Sequence, residues 1–147
     1  MAYSARELLA RIIKCEAGGE GENGMKAVAI VVMNRVNVSY GEYLRYGQGN
    51  LRRIIFQPYQ FTCAMAFVGG QPNNQNLWSS EPDDLHYEIA DWALSGNKLS
   101  GIGESLWYFN PFAPGCPYYF PKNRTGFYVN SIGEHCFYMP TAKYAKT

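Results

Sequence analysis

Glu16 is the residue whose position in the sequence most directly suggests chemistry. Ser4 and Glu7 have the spacing of a capping box, which predicts a helix that begins there. The apolar stripe of this helix includes Ile12 and Ile13 and continues at helical spacing onto Glu16. Burial disfavours the charged form of a carboxyl group, so Glu16 is predicted to hold a proton near neutral pH and to act as a general acid. The alternative is a frayed last turn that points Glu16 into solvent.

A buried general acid suits the cleavage of a glycosidic bond, because the departing oxygen is a poor leaving group until it is protonated. Many glycosidases also use a second carboxylate. Glu20 and Glu22 follow the predicted helix in a glycine-rich loop and could face Glu16 across a cleft. A solvated loop is the simpler explanation for both.

Other chemistries find less support in the sequence. The two histidines, His86 and His135, offer no recognised zinc-ligand spacing, so no metal or other cofactor is expected. A nucleophilic pair of Cys63 or Cys116 with His135 stays open, because such partners meet in space rather than in sequence. The glycine-rich segment 18–24 follows a helix and carries acids, which argues against phosphate binding.

The composition is that of a globular protein with no strong electrostatic preference. The 147 residues include 13 Lys and Arg against 12 Asp and Glu, a formal charge of +1, which disfavours nucleic acid as a partner. Aromatic residues make up 16% of the chain, and such rings either build a core or stack on sugars. The four cysteines have no Cys-x-x-Cys spacing and are predicted to be free buried thiols.

The chain shows neither an export signal nor a membrane span. Residues 1–14 have the pattern of an amphipathic helix rather than of a signal peptide. The longest apolar run, 27–33, is too short to cross a bilayer. We therefore expect a protein that is made in the cytoplasm.

Helical patterns come first along the chain. Residues 25–36 are predicted to form a central buried helix, 51–56 a short helical turn, and 80–95 a helix whose capping signature starts at Ser80. Residues 40–50 carry three glycines and are predicted to be a loop.

Strand patterns follow the helices. The segments 106–110, 126–130 and 135–139 are short and aromatic or β-branched, and residues 132–134 are predicted to form the turn of a hairpin. The sequence thus predicts one α+β domain spanning 1–147, with N-terminal helices and a small C-terminal antiparallel sheet.

Several segments along the chain carry recognisable motifs. The first is Ile13-Lys-Cys-Glu-Ala-Gly-Gly-Glu20, continued by residues 24–36, and the second is Gln57-Pro-Tyr-Gln-Phe61. Tyr108-Phe-Asn-Pro111 and residues 132–138 follow. In this order, the segments resemble the spore cortex-lytic cell wall hydrolases of the SleB and CwlJ type. The chain departs from the family pattern at Gly18, where an arginine is usual, and at Tyr59, where a glycine is usual.

The resemblance implies a lysozyme-like domain related to lytic transglycosylases, with Glu16 as the catalytic residue. It implies a partner, the peptidoglycan glycan strand, cut between N-acetylmuramic acid and N-acetylglucosamine. The matching motifs supply candidate substrate-binding residues, which are Glu20, Gln60, Phe61, Thr62, Trp107, Tyr108 and Asn110. Each of these residues has an alternative role in preserving the shape of a turn or the core.

Three functions stay open at this stage. A lytic transglycosylase would need only Glu16, because the C6 hydroxyl of the muramic sugar closes on C1 to give a 1,6-anhydro end. A hydrolytic muramidase would need a second carboxylate, with Glu20 as the first candidate. A spore-coat or glycan-binding module without catalysis would leave Glu16 as a relic. The resemblance is to the short CwlJ type, which implies deposition at the spore coat or cortex and a possible anchoring protein there.

Overall fold

The structure is a computed structural model that describes residues 2–121 and 123–147. In these residues the helices come first and the main sheet last, as the sequence predicts. The five α-helices are α1 (Ala5–Ala17), α2 (Gly21–Asn37), α3 (Gly41–Gly47), α4 (Leu51–Ile55) and α5 (Asp84–Leu94). Short 3-10 turns occupy Thr62–Ala64 and Ala142–Lys146. None of the described helices is long and apolar enough to cross a membrane.

The first helix begins where its capping residue predicts. Ser4 Oγ accepts a 3.1 Å hydrogen bond from the Glu7 N–H, which satisfies one free donor of the first turn. The Glu7 carboxylate does not close the capping box but accepts a 2.8 Å hydrogen bond from Arg11 Nε. Ile12 and Ile13 are fully buried, so the predicted apolar stripe is confirmed.

The second helix is the buried centre of the helical part. It begins at Gly21, four residues before the predicted start, and ends at Asn37. Residues 27–32 are almost completely buried, and the helix packs against α1, α3, α4 and α5. Burial of this apolar surface is the main driving force that holds the helices together.

The segment 40–50, predicted to be a loop, instead contains α3, so this prediction is wrong. Its glycines are sites of close packing. A Cβ atom on Gly47 would lie 2.3 Å from Ile54 Cδ1, and one on Gly41 would lie 2.6 Å from the Tyr144 ring. Because these glycines have no side chain, neighbouring side chains can pack directly against the helix. The sequence pattern alone does not distinguish this role from that of a glycine in a turn.

The predicted start of the last helix is also wrong. The α5 helix begins at Asp84, with Asp83 as its N-cap rather than Ser80. Asp83 Oδ1 accepts a 3.0 Å hydrogen bond from the Leu85 N–H, and His86 Nδ1 accepts one from the Asp83 N–H at 3.0 Å. A histidine thus completes this capping box, in a place where glutamate or glutamine is usual.

The C-terminal sheet confirms the predicted hairpin. Strands β1 (Phe67–Val68) and β2 (Gln71–Pro72) form a separate small hairpin. The main sheet is antiparallel with the order β3-β5-β4, from β3 (Trp107–Phe109), β4 (Gly126–Ile132) and β5 (His135–Pro140). The tight turn between β4 and β5, at residues 133–134, brings the chain back toward α1.

All four cysteines form disulfides, so the prediction of free thiols is wrong. Cys15 is bonded to Cys63, and Cys116 to Cys136. The partners are 48 and 20 residues apart, so each disulfide joins segments that are separated in the sequence. The same bonds exclude the nucleophilic cysteine and histidine pair, because neither Cys63 nor Cys116 has a free sulfur.

Candidate active site

Glu16 lies in the last turn of α1 and is half-buried, with hydrogen bonds to both carboxylate oxygens. Its Oε1 accepts a 2.7 Å hydrogen bond from the Tyr108 hydroxyl. Its Oε2 accepts a longer contact of 3.4 Å from the Cys63 N–H. The side chain therefore does not move freely in solvent but is fixed by groups from two distant parts of the chain.

The end of α1 is fastened to the segment that carries Cys63. The disulfide partner of Cys63 is Cys15, the residue immediately before Glu16. The Cys15 carbonyl also accepts a 3.3 Å hydrogen bond from Gln75 Nε2. Because these bonds flank Glu16, they restrict the direction in which its carboxylate can point.

Tyr108 is a neutral hydrogen-bond donor to Glu16. Burial raises the pKa of Tyr108 well above its usual value, and the charge of Glu16 and the hydrogen bond to it raise the pKa further. The phenol thus keeps its proton across the physiological pH range. The His135 ring stands edge-on to the Tyr108 ring, with centroids 5.1 Å apart, which restricts the position of Tyr108.

Two cavities lie near the contact between Tyr108 and His135: Tyr108 lines one, His135 lines the other, and they share no lining residue. The first, which we name the Tyr108 cavity, has a volume of about 340 Å³. Its wall includes Arg35, Glu42, Tyr43, Gln60, Trp107 and Tyr108. The second, which we name the loop cavity, has a volume of about 430 Å³ and is lined by residues 110–116, 131 and 133–136. Glu16 lines neither of these two cavities. It is connected to the Tyr108 cavity through Tyr108, which lines that cavity and donates its hydroxyl hydrogen bond to Glu16.

Arg35 places a buried positive charge in the wall of the Tyr108 cavity. Its side chain is 5% exposed, and its Nε donates a 2.7 Å hydrogen bond to the Leu106 carbonyl. The guanidinium stands over the rings of Tyr43 and Phe61, at 4.6 and 4.9 Å from their centroids. Its Nη1 has no hydrogen-bond partner among the described residues.

The fold brings the candidates Gln60 and Trp107 to one cavity. Both line the Tyr108 cavity. Gln60 Oε1 accepts a 2.8 Å hydrogen bond from the Tyr43 hydroxyl, which leaves its amide nitrogen available to a ligand. Trp107 is 6% exposed, so most of its ring belongs to the core.

The candidates Phe61, Thr62 and Asn110 are placed differently. Phe61 is 2% exposed, and its ring packs against the Arg35 guanidinium instead of lining a cavity. Thr62 is exposed and lines neither cavity. Asn110 lines the loop cavity, where its Nδ2 donates a 3.3 Å hydrogen bond to Glu134 Oε2.

Glu20 contacts the turn of the C-terminal hairpin. Its Oε1 accepts a 2.9 Å hydrogen bond from the Glu134 N–H and lies 3.5 Å from His135 Nδ1. Gly133 comes so close that a Cβ atom there would lie 2.7 Å from the same oxygen. One oxygen of Glu20 is thus already engaged in joining the loop after α1 to the sheet.

Sequence reasoning missed Arg35 and Glu42. A signal for Arg35 existed, since it is a charged residue near the end of a helix that is otherwise almost entirely apolar. No signal in the sequence indicated Glu42, because the segment around it was predicted to be a loop. Glu42 accepts a 2.9 Å hydrogen bond from Gln57 Nε2, and it places a carboxylate in the wall of the Tyr108 cavity. Among the described residues, no three His, Cys, Asp or Glu side chains come together as a metal site.

Comparisons with known proteins show which proteins this chain resembles. The catalytic domain of the germination-specific lytic transglycosylase SleB from Bacillus anthracis has a similar structure, with a TM-score of 0.63 and 25% sequence identity, over 94% of this chain and 98% of that domain. Cell wall hydrolase CwlJ of Bacillus subtilis is 28% identical over 93% of this chain and 86% of its own length. The spore cortex-lytic enzyme of Oceanobacillus iheyensis is 31% identical over 89% of this chain and 40% of its own.

The fold and the comparisons define the class of protein as a lysozyme-like enzyme that acts on peptidoglycan. A family model described as Cell Wall Hydrolase matches residues 19–138, which is most of the chain. This chain belongs to the cell wall hydrolase family.

Proposed function

We propose that this enzyme is a lytic transglycosylase that cleaves the glycan strands of spore cortex peptidoglycan between N-acetylmuramic acid and N-acetylglucosamine during germination. The observation that carries the proposal is the hydrogen bond of 2.7 Å that the Glu16 carboxylate accepts from Tyr108, a residue that lines a cavity. The proposed substrate is supported by the names of the relatives, which are cell wall hydrolase, spore cortex-lytic enzyme and germination-specific lytic transglycosylase.

The two oxygens of Glu16 have different surroundings, which assigns them different roles. Oε1 accepts the short hydrogen bond from Tyr108, whereas Oε2 has only the 3.4 Å contact with the Cys63 N–H. In the protonated acid, Oε2 carries the proton and Oε1 remains the acceptor. Tyr108 therefore orients the carboxyl group so that Oε2 faces the scissile bond.

The reaction begins when Glu16 donates its proton to the glycosidic oxygen. The bond between that oxygen and C1 of the muramic sugar breaks, the oxygen leaves as a hydroxyl group, and C1 becomes oxocarbenium-like. The C6 hydroxyl of the same sugar then forms a bond to C1 and returns its proton to Glu16. The product is a 1,6-anhydro end, no water is consumed, and Glu16 is again protonated.

The cavities on either side of the contact between Tyr108 and His135 accommodate the sugars next to the scissile bond. In the Tyr108 cavity, the free amide nitrogen of Gln60 donates to hydroxyl or N-acetyl oxygens, and Trp107 contributes an apolar edge. In the loop cavity, Asn110 has the corresponding polar role. We assign Phe61 to the support of Arg35, and Thr62 to the turn that carries Cys63.

A single carboxylate is enough for this mechanism, and the surroundings of Glu20 favour it. Glu20 Oε1 is engaged with the Glu134 N–H, so we assign Glu20 to positioning the hairpin. The second candidate function, a hydrolytic muramidase, is favoured by one observation, which is that Glu42 lines the same cavity as Tyr108. In a hydrolase Glu42 would activate water or act as the nucleophile.

The two disulfides support a place of action outside the reducing cytoplasm. Disulfides persist in oxidising environments and are rare where glutathione and thioredoxin keep thiols reduced. We propose that the enzyme is deposited at the spore coat or cortex, where a coat protein could anchor it.

Mass spectrometry of the fragments released from purified cortex tests the proposal. A lytic transglycosylase gives muramic ends that are lighter than ordinary reducing ends by one water. Reducing ends in their place would make the enzyme a hydrolase. Binding to cortex without soluble fragments would leave the non-catalytic glycan-binding module as the function.

A further inference from the structure

Two aromatic residues at the cavities, Tyr59 and Phe112, are almost fully exposed. Tyr59 is 85% exposed and lines the Tyr108 cavity, and Phe112 is 90% exposed and lines the loop cavity. Large apolar side chains usually lose surface to the core when a chain folds. These two rings instead stand in solvent, one at each cavity.

Both residues also have a backbone conformation that favours glycine. The φ angle is 64° at Tyr59 and 52° at Phe112. L-residues with a bulky side chain rarely adopt positive φ, because the Cβ atom comes too close to the neighbouring carbonyl oxygen. Exposure and backbone strain are two separate costs to stability, and unusual conformations of this kind cluster at ligand sites.

The backbone around each ring is fixed by contacts within the chain. Asn110 Oδ1 accepts a 2.7 Å hydrogen bond from the Phe112 N–H, and the loop ends in the disulfide from Cys116 to Cys136. Tyr59 is followed by Gln60, whose side chain is bonded to Tyr43. The rings therefore project from anchored backbone, which reduces the entropy lost when a ligand binds.

The surroundings of the rings favour a sugar over an apolar protein surface. Neither ring is paired with another aromatic ring among the described residues, so each offers a single flat face to solvent. The cavity at Tyr59 also contains Glu42 and Gln60, and the cavity at Phe112 contains Asn110. A single flat ring beside hydrogen-bonding side chains matches a pyranose, which has apolar faces and a polar edge.

We infer that Tyr59 and Phe112 are stacking platforms for sugar rings of the glycan strand, one in each cavity beside the Glu16 and Tyr108 pair. This inference rests on the proposed function for the identity of the polymer. It adds two binding positions that extend the groove beyond the scissile bond. The enzyme should therefore bind long glycan strands more tightly than short ones.

Binding of Glu16→Gln protein to purified cortex peptidoglycan, measured by sedimentation, tests the platforms without cleavage. In this background we compare Tyr59→Asn, Phe112→Asn and the double variant, because asparagine tolerates positive φ better than other side chains with a Cβ. A stacked ring contributes a factor of about 3 to 10 in affinity, so each single variant should bind weaker by that factor, and the double variant weaker still.

Phe67→Asn is the matched control, because Phe67 is 62% exposed and lines neither cavity. The Phe67→Asn variant should leave binding unchanged. Tyr59→Phe, which keeps an aromatic ring, should bind as tightly as the Glu16→Gln parent. The melting temperatures of the Tyr59 and Phe112 variants should not fall, which excludes a purely structural role. A double variant that binds as tightly as its parent overturns the inference. Failure of the proposed function is a separate outcome, because it appears as the absence of released fragments with Glu16 intact.

Discussion

The Tyr108 hydroxyl donates a 2.7 Å hydrogen bond to Glu16 Oε1, across 92 residues of sequence. Glu16 belongs to the first helix, and Tyr108 belongs to the first strand of the C-terminal sheet. The acid therefore takes its position only when the helical part and the sheet have packed together. The chemistry of this enzyme depends on that tertiary contact as much as on the carboxyl group itself.

Tyr108→Phe should lower kcat by a factor of about 10 to 100, because a hydrogen bond to a charged group contributes about 1.5 to 3 kcal/mol. The measurement is the rate of fragment release from cortex at saturating substrate. Tyr128→Phe is the matched control, since it removes a hydroxyl that contacts Ser131 at 2.9 Å in the same sheet. A Tyr108→Phe enzyme with the full rate would show that the phenol does not orient Glu16.

Glu20→Ala should lower the free energy of unfolding by about 1 to 2 kcal/mol, because the Glu134 N–H loses its acceptor. Urea unfolding followed by circular dichroism measures this change. The rate of fragment release should fall less than in Glu16→Gln. Loss of activity without loss of stability would instead place Glu20 in the reaction.

Glu42→Gln separates the two enzymatic mechanisms. In a transglycosylase Glu42 only borders the cavity, so the rate should stay within about tenfold of the wild type and the products should keep their anhydro ends. The amide keeps the size of the side chain and can still bond to Gln57. A fall in rate as large as that of Glu16→Gln, with reducing ends in the wild-type products, would favour the hydrolase.

Replacing both Cys15 and Cys63 by serine should lower the free energy of unfolding by about 2 to 4 kcal/mol, because the disulfide closes a long loop. It should also lower kcat, since the Cys63 N–H contacts Glu16. The double serine variant of Cys116 and Cys136 is the matched control. It should lose stability too but change KM more than kcat, because this disulfide borders the loop cavity. Equal effects on kcat would contradict the role assigned to the first disulfide.

The protein should lose stability as the pH rises from about 10 to about 12. Burial raises the pKa of Tyr138 and of Tyr144 to about 12, whereas the unfolded chain ionises its tyrosines near their usual value of 10. Below pH 10 both states keep these protons, and above it only the unfolded state releases them. Tyr144→Phe should make the fall of unfolding free energy with pH shallower, and an unchanged slope would contradict this explanation.

The sequence predicts what depends on local pattern. The apolar stripe of α1 identifies Glu16 as a carboxyl group on a buried face. Turn chemistry predicts the hairpin turn at residues 132–134, and the structure has it at 133–134. Both predictions follow from the spacing of neighbouring residues, and this spacing does not depend on which other segments pack against them.

What the sequence could not supply are the contacts between distant segments. Nothing in the spacing of the cysteines pairs Cys15 with Cys63, and nothing near Glu20 indicates the Glu134 N–H as its partner. The α3 helix was missed for a related reason, since the close contact of Gly47 with Ile54 exists only in the folded protein. The partners of the acid and the walls of its groove belong to this second kind of information.

The most direct test of the central claim compares the products of the wild-type enzyme and of Glu16→Gln on the same cortex preparation by mass spectrometry. The mutated side chain keeps its shape and can still accept the hydrogen bond from Tyr108, but it cannot donate a proton to the glycosidic oxygen. We expect 1,6-anhydro ends from the wild type, and their release should fall by a factor of about 100 to 10,000 in the variant. Anhydro ends released by Glu16→Gln at the wild-type rate would contradict the account.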